Sequence, residues 1–235
     1  MAKILENRVV ADDFCLMRVE ADNDAKMGQF YMLRAWDSFP VLSRPISVFD
    51  SDGRTVSFLY KVVGQGTERF RDLKPGEEIR LDGPHGNGFP DVQGKIALVG
   101  GGVGIAPLYL LARELKKNHP DSRVDVYLGF SGQPMLVEEY ERVADSVTVN
   151  VGGFVTDDID PAGYDVIMTC GPEVMMRVLY QKCVDTGAGA KVYVSMENRM
   201  ACGMGACLVC TCKTKSGNKR ACKDGPVMEG WEVFG

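Results

Sequence analysis

The chain has 235 residues, 45% hydrophobic and 25% charged, the make-up of an ordinary globular protein with room for more than one core. Its 32 acidic and 27 basic side chains leave a formal charge of -5, which argues against nucleic acid as the main partner. No apolar stretch approaches the roughly 20 residues that span a bilayer, and the opening Met1-Ala2-Lys3-Ile4-Leu5-Glu6-Asn7 lacks the apolar run of a signal peptide, so a cytosolic protein is expected.

The first ninety or so residues read as short strands with turn punctuation. Phe14–Val19, Phe30–Arg34, Ile46–Phe49 and Thr55–Tyr60 are strand candidates, and Ser51-Asp52-Gly53 is a hairpin signal between the last two. Glu78–Asp82 alternates apolar and charged residues, as a half-buried strand does. Strands without long helical patterns point to an antiparallel barrel or sandwich. The character changes after Pro90. Lys95–Val99 is an apolar run leading into a glycine-rich turn, and Ala106–Lys117 carries helical periodicity through Leu108, Leu111, Ala112 and Leu115. Val124–Leu128, Val147–Val151, Asp165–Thr169 and Lys191–Val194 are further strands, and Glu173–Asp185 is a helix. Strands alternating with helices imply a doubly wound parallel sheet. The remainder has little periodicity and reads as mostly loop. The expected organisation is a β-barrel over 1–91, an α/β domain over 92–196 and a small cysteine-rich domain over 197–235.

Of the eight cysteines, Cys15, Cys170 and Cys183 are scattered, whereas Cys202, Cys207, Cys210, Cys212 and Cys222 cluster near the end. In a reducing compartment such a cluster reads first as a metal site. Cys202-x4-Cys207-x2-Cys210, followed by Cys222, has the plant-type [2Fe–2S] spacing. A structural zinc site more often shows two C-x2-4-C knuckles, and only Cys207 and Cys210 form one; zinc and free thiols stay open as alternatives. Gly203 and Gly205 let the backbone wrap closely around sulfur, and Cys212 reads as a packed thiol outside the ligand set. The six basic and four acidic residues of this tail offer a counterweight to thiolate charge or are a solvated surface.

Gly100-Gly101-Gly102-Val103-Gly104-Ile105-Ala106-Pro107 lies between a strand and a helix, where backbone N–H groups can meet a pyrophosphate. Its G-x-G-x-x-P form through Gly102, Gly104 and Pro107 departs from the dinucleotide fingerprint, and a plain tight turn is the other reading. No Lys or Arg occurs from Val124 to Glu141, which favours NAD over a cofactor carrying a 2′-phosphate. Arg44-Pro45-Ile46-Ser47, with Gly64-Gln65-Gly66-Thr67 further on, suits a flavin and its phosphate, or else a loop arginine in an ion pair.

Together these motifs resemble the ferredoxin–NADP reductase superfamily, whose C-G-P segment is matched by Cys170-Gly171-Pro172. Three further runs, Glu197–Cys207, Cys222–Val227 and Gly83-Pro84-His85-Gly86-Asn87-Gly88-Phe89, narrow the resemblance to the family of electron transfer subunits of type B dihydroorotate dehydrogenases. The resemblance implies FAD in the barrel, contacted by Arg44, Pro45, Ile46 and Ser47, lined by Leu59, Tyr60 and Lys61, with Gly66 and Thr67 at its phosphates. NAD would sit at Gly101, Gly102, Gly104, Pro107, Cys170 and Gly171, and the cluster ligands would be Cys202, Cys207, Cys210 and Cys222. His85 stands where an aliphatic residue is expected. The family further implies an FMN-bearing catalytic subunit that oxidises dihydroorotate to orotate, two copies of each chain, and electron flow from FMN through the cluster and FAD to NAD+. Related reductase subunits serve sulfide dehydrogenase-like and transhydrogenase complexes, the alternative partners. Neither His85 nor His119 sits in an acid–base constellation, so no catalytic residue is assigned. Glu173 reads as helix N-terminal charge, and Met196, Met200 and Met204 as core packing beside the cluster, or as its shield.

Overall fold

Apolar–polar alternation drives the first part of the chain into strands. In the computed structural model, which describes residues 1–235, β1 (Ala2–Ala11), β2 (Phe14–Glu20), β3 (Phe30–Arg34), β4 (Arg44–Ser51), β5 (Thr55–Lys61) and β6 (Glu78–His85) close a barrel in the order β1-β2-β5-β4-β3-β6. Every pairing is antiparallel. Cys15, Met17 and Val19 of β2 face Tyr60, Phe58 and Val56 of β5 in register, and all six are buried inside the barrel with Ile4, Leu33 and Val48. Each large side chain buried this way stabilises by about 1.5–3 kcal/mol. One helix, α1 (Gln65–Asp72), follows β5 and drops Phe70 into the same core.

The second half alternates. β7 (Lys95–Gly101), α2 (Ala106–Asn118), β8 (Arg123–Phe130), α3 (Val137–Glu141), β9 (Ser146–Val151), β10 (Val166–Cys170), α4 (Glu173–Asp185) and β11 (Lys191–Ser195) follow in turn. Their strands pair in parallel in the order β11-β10-β7-β8-β9. The central β7 and β10 are buried almost throughout, because helices cover both faces of a parallel sheet. Ile96 and Leu98 pack with Leu108, Leu111, Ala112 and Leu115 of α2 on one face. Ala97 and Val99 pack with Met176, Leu179 and Cys183 of α4 on the other.

Two contacts lock barrel and sheet together and so fix the crevice between them. Phe49 of β4 stacks on Tyr109 of α2 with centroids 4.5 Å apart. Arg113 of α2 pairs with Asp50 and donates to the Ser51 carbonyl at 2.6 Å.

The C-terminal stretch is more structured than its sequence suggests. After a cysteine-bearing loop, β12 (Thr211–Thr214) and β13 (Gly217–Arg220) form a hairpin. Then β14 (Val227–Glu229) returns to the α/β sheet and pairs antiparallel with β11, with α5 (Gly230–Phe234) after it. Elements of three to five residues carry too few positions to reveal a period. β1 is long enough but hides for a different reason, since only Ala2, Ile4 and Ala11 of its ten residues are buried and no alternation runs through it; α1 carries a glycine in its first turn.

Candidate functional site

Where β4, β5 and the N-terminal ends of α1 and α2 converge lies a cavity of about 300 Å³. Arg44, Pro45, Ile46 and Ser47 line it from β4, Leu59, Tyr60 and Lys61 from β5, and Thr67 from α1. Ala106 and Val103, at the head of α2, face them. Phe30 and Val63 complete the barrel side, and the far wall is Ser195, Met196, Glu197, Asn198, Met200 and Pro226, none of which the sequence places at a flavin. The signal was present in Met196 and Met200, buried and four residues apart just ahead of Cys202.

Arg44 is held flat. Its guanidinium lies 5.3 Å from the Trp36 ring centroid, and a Cβ on Gly66 would come within 2.6 Å of its Nε. Gly66 therefore acts by leaving room for the arginine. Arg34 and Arg69 lie 5.7 and 6.0 Å from the same indole. Burial and the neighbouring Arg34 both lower the Arg44 pKa, with no carboxylate offsetting them. A partly buried guanidinium beside other cations and without a counterion calls for an anion. That fits the diphosphate of a dinucleotide. Trp36, Arg34 and Arg69 were not legible from spacing, since three distant segments bring them together.

Thr67 works on the backbone. Its Oγ1 accepts from the Val63 and Gly64 N–H groups at 2.9 and 3.2 Å and donates to the Gly64 carbonyl at 2.9 Å. This fixes the start of α1 and leaves later first-turn N–H groups free for an anion. Tyr60 lines the cavity from β5, but its ring is buried in the barrel core against Phe70 and its hydroxyl donates to Asn7 Oδ1 at 3.0 Å. Burial pushes that phenol well above its ordinary pKa. Asn7 Nδ2 in turn donates to the carbonyls of Phe70 and Leu73 at 2.7 and 3.0 Å, capping the other end of α1.

The glycine-rich turn stands behind the head of α2. Gly102 has φ +57° and open space where a side chain would project. Gly104 has none: its Cβ would lie 2.4 Å from the Cys170 carbonyl and 2.5 Å from the Gly171 Cα. A side chain on Gly171 would in turn come 3.0 Å from the Gly101 N. Gly101, Gly104, Cys170 and Gly171 thus form one close backbone crossing at the carboxyl ends of β7 and β10, where doubly wound sheets take their ligands. Pro107 is buried in the first turn of α2, where its fixed φ suits the helix start. None of these six residues lines the cavity itself; Val103 and Ala106 carry the turn to its edge.

Cys170 is fully buried, and its thiol pKa is pushed up by burial and by Glu197. Glu197 reaches the cavity and is the one carboxylate in its lining. Burial raises its pKa, with the Cys170 thiol as a hydrogen-bond partner pulling the other way.

The four candidate ligands fall into two pairs. The Cys207 N–H donates to Cys202 Sγ at 3.4 Å, and the Cys222 N–H donates to Cys210 Sγ at 3.4 Å. N–H groups of Cys207 and Met204 bring the Cys202 thiol down to about 6. Burial and the neighbouring Cys210 push Cys222 up to about 12. Nowhere do three His, Cys, Asp or Glu side chains converge at single-ion distance. Two thiol pairs with N–H groups aimed at sulfur match a two-iron centre better than one tetrahedral zinc. Gly203 and Gly205, at φ +72° and +85°, make the wrap possible. Cys212 lies on β12, half-buried, with its thiol donating to the Lys219 carbonyl at 3.4 Å, outside the pairs. Met204, Leu208 and Val209 are exposed around Cys207.

Residues 197–234 match the family model described as the iron-sulfur cluster binding domain of dihydroorotate dehydrogenase B. A dihydroorotate dehydrogenase B (NAD(+)) electron transfer subunit from Clostridium acetobutylicum is 45% identical, covering 99% of this chain and 96% of the relative. Its counterpart from Clostridium perfringens is also 45% identical, over 98% of this chain and 96% of its own length. Among solved structures, an NADH-dependent reduced ferredoxin-NADP oxidoreductase matches with a TM-score of 0.88 and 28% identity, over 99% of this chain and 89% of that one. A ferredoxin NADP+ reductase from Neisseria gonorrhoeae, at 17% identity and TM-score 0.65 over 82% of this chain and 97% of its own, shares the fold. The near-full-length identity and the barrel-plus-sheet architecture agree: the chain belongs to the family of dihydroorotate dehydrogenase B electron transfer subunits, built on the ferredoxin reductase-like fold.

Proposed function

We propose that the chain relays electrons between a catalytic subunit that oxidises dihydroorotate and NAD+, with FAD in the cavity and a [2Fe–2S] cluster on Cys202, Cys207, Cys210 and Cys222. The observation that carries this reading is continuity. Ser195–Met200, one wall of the cavity, runs directly into Cys202, and Pro226, also in the wall, lies four residues after Cys222. A flavin in the cavity and a cluster on the loop would be held by the same stretch of backbone. FAD supplies the exchange between hydride chemistry with NAD+ and one-electron traffic with a cluster.

The chain's own residues bind, orient and exclude water. Arg44, flanked by Arg34 and Arg69, would hold the diphosphate, and the first turn of α1, fixed by Thr67, would add N–H donors. Pro45, Ile46, Leu59 and Met196 would pack the ring system, with Ser47 and Lys61 at its polar edge. Glu197 would place the one carboxyl of the lining at the cavity wall. The crossing of Gly101 and Gly104 with Cys170 and Gly171 would bring the nicotinamide to the head of α2. NAD is favoured over NADP because the basic groups near α3, Arg8 and Arg142, already face Glu139 and Glu138 at 3.9 and 3.6 Å. The exposed Met204, Leu208 and Val209 would meet the catalytic subunit, an FMN protein present in two copies with two of this chain, in the cytoplasm.

The test is a visible spectrum of anaerobically purified protein with iron and zinc analysis, before and after NADH. Flavin bands, about two irons per chain and bleaching by NADH are expected. A colourless preparation containing zinc and no iron overturns the reading. A second reading, a reductase subunit serving another partner, draws on the full-length likeness to the reduced ferredoxin-NADP oxidoreductase. The flavoprotein that copurifies, and whether dihydroorotate reduces the complex, decides between the two.

A further inference from the structure

The last residue of β6 joins the cavity to the cysteine loop. His85 pairs with Phe30 of β3, and their rings sit 5.7 Å apart at 45°. Phe30 lines the cavity. On its other side the imidazole meets the loop: a Cβ on Gly203 would come 3.3 Å from His85 Cδ2 and 2.7 Å from Met32 Cγ. Gly203 directly follows Cys202. Two residues beyond His85, Asn87 fastens the other half of the loop, donating from its backbone to Gly225 O at 2.5 Å and from its side chain to Asp224 O at 3.1 Å.

The imidazole is chemically incomplete as well as central. Its side chain is only 17% exposed, and Asp82 Oδ1 lies 3.4 Å from Nε2. Yet Nε2 itself is buried and makes no hydrogen bond to any protein atom, Asp82 included. A buried polar atom without a partner is costly, and an apolar side chain would fill the same wedge without that cost. A cluster on Cys202 would supply sulfur acceptors on the side where His85 meets Gly203. Hydrogen bonds to cluster sulfur favour the reduced, more negative state and so raise its potential.

We propose that His85 is a positioning residue that sets how electrons are shared between flavin and cluster, by donating from Nε2 to the sulfur side of the Cys202–Gly203 turn. The proposal rests on the assignment of a [2Fe–2S] cluster to the four cysteines. It concerns which of two neighbouring centres holds the electron at equilibrium, a property the ligands alone do not determine.

The chain contains only two histidines, and His119 pairs with Asp91 at the far end of α2. In a His119→Gln background, histidine labelled with 15N therefore reports on His85 alone. Pulsed electron paramagnetic resonance of the dithionite-reduced full chain is expected to show 15N coupling to the cluster, lost in His85→Leu. In a redox titration, His85→Leu is expected to lower the reduced-to-oxidised ratio of the cluster at fixed potential about tenfold, equivalent to about 59 mV for a one-electron couple. His85→Gln, which keeps a donor, is expected to recover most of that loss. If His85→Leu fails to hold iron, the labelled protein and His85→Gln still decide. Absence of 15N coupling, or an unchanged potential in iron-replete His85→Leu, overturns the proposal. A wild-type preparation with no [2Fe–2S] signal overturns the relay itself, and this proposal with it.

Discussion

The barrel core is a set of fifteen buried side chains that close around one another. From Glu197 onward the buried side chains are Met200, Cys210, Ala221, Cys222, Pro226, Val227, Met228 and Glu232, two of them candidate ligands. The barrel carries its own reason to fold; the tail borrows support, from β11 through β14, from Asn87 through Gly225 and Asp224, and from whatever the thiols bind. Function is divided along the same line. The barrel offers the larger part of a shaped cavity, closed on one side by Met200 and Pro226, whereas the tail offers ligand atoms whose arrangement depends on the group they hold.

The largest effect expected is on the tail alone. Cys222→Ser removes half of the buried thiol pair, and iron content falls from about two per chain to near none. FAD content falls much less than iron, because Arg44, Thr67 and the barrel side of the cavity are untouched, and hydrogen exchange accelerates beyond Glu197 and in β11, the partner of β14; loss of FAD as complete as that of iron would show that the two regions fold as one. Arg44→Ala is the converse. Losing the charge-assisted bonds of an anion-binding guanidinium costs about 1.5–3 kcal/mol, so the FAD dissociation constant rises roughly 10- to 100-fold while iron is retained. Equilibrium dialysis with iron analysis separates the two outcomes.

Gly104→Ala tests the junction that neither region owns. Its new methyl meets backbone, not a flexible side chain, so stability falls by about 1–3 kcal/mol. Flavin reduction by NADH slows, and both cofactors remain bound. Stopped-flow reduction and thermal unfolding check this. The smallest effect concerns Glu232, which accepts from the Ser216 hydroxyl, from Thr214 Oγ1 at 2.6 Å and from the Ser216 N–H at 3.0 Å. These bonds hold its pKa down from 4.5 to about 2. A depressed carboxylate stabilises the fold above its ordinary value, and the contribution is lost as pH falls from 4.5 through about 2. Unfolding followed over that window shows a steeper acid loss for the natural chain than for Glu232→Gln.

The contrast also explains what the sequence revealed. Phe14–Val19 and Thr55–Tyr60 were legible because alternation over six residues is a long signal, and Ala106–Lys117 because four leucine or alanine positions recur on one face. The cysteine spacing and Arg44-Pro45-Ile46-Ser47 were legible as local chemistry. What stayed hidden was assembled from afar: the Ser195–Met200 wall, Trp36 beneath Arg44, and the contact of His85 with Gly203. The return strand β14 was hidden for another reason, since three residues carry no period.

That return strand has a consequence for the chain before its cofactors arrive. β11 buries Val192 and Val194 and would end the sheet as an open edge if Val227–Glu229 let go. An unpaired apolar strand edge templates addition of strands from other molecules. A short, terminal edge strand avoids that hazard, but here it is tethered to the segment that depends on the thiols. Iron supply during synthesis thus bears on self-association: in iron-starved cells the chain is expected to shift from the soluble to the aggregated fraction, in proportion to the tail released.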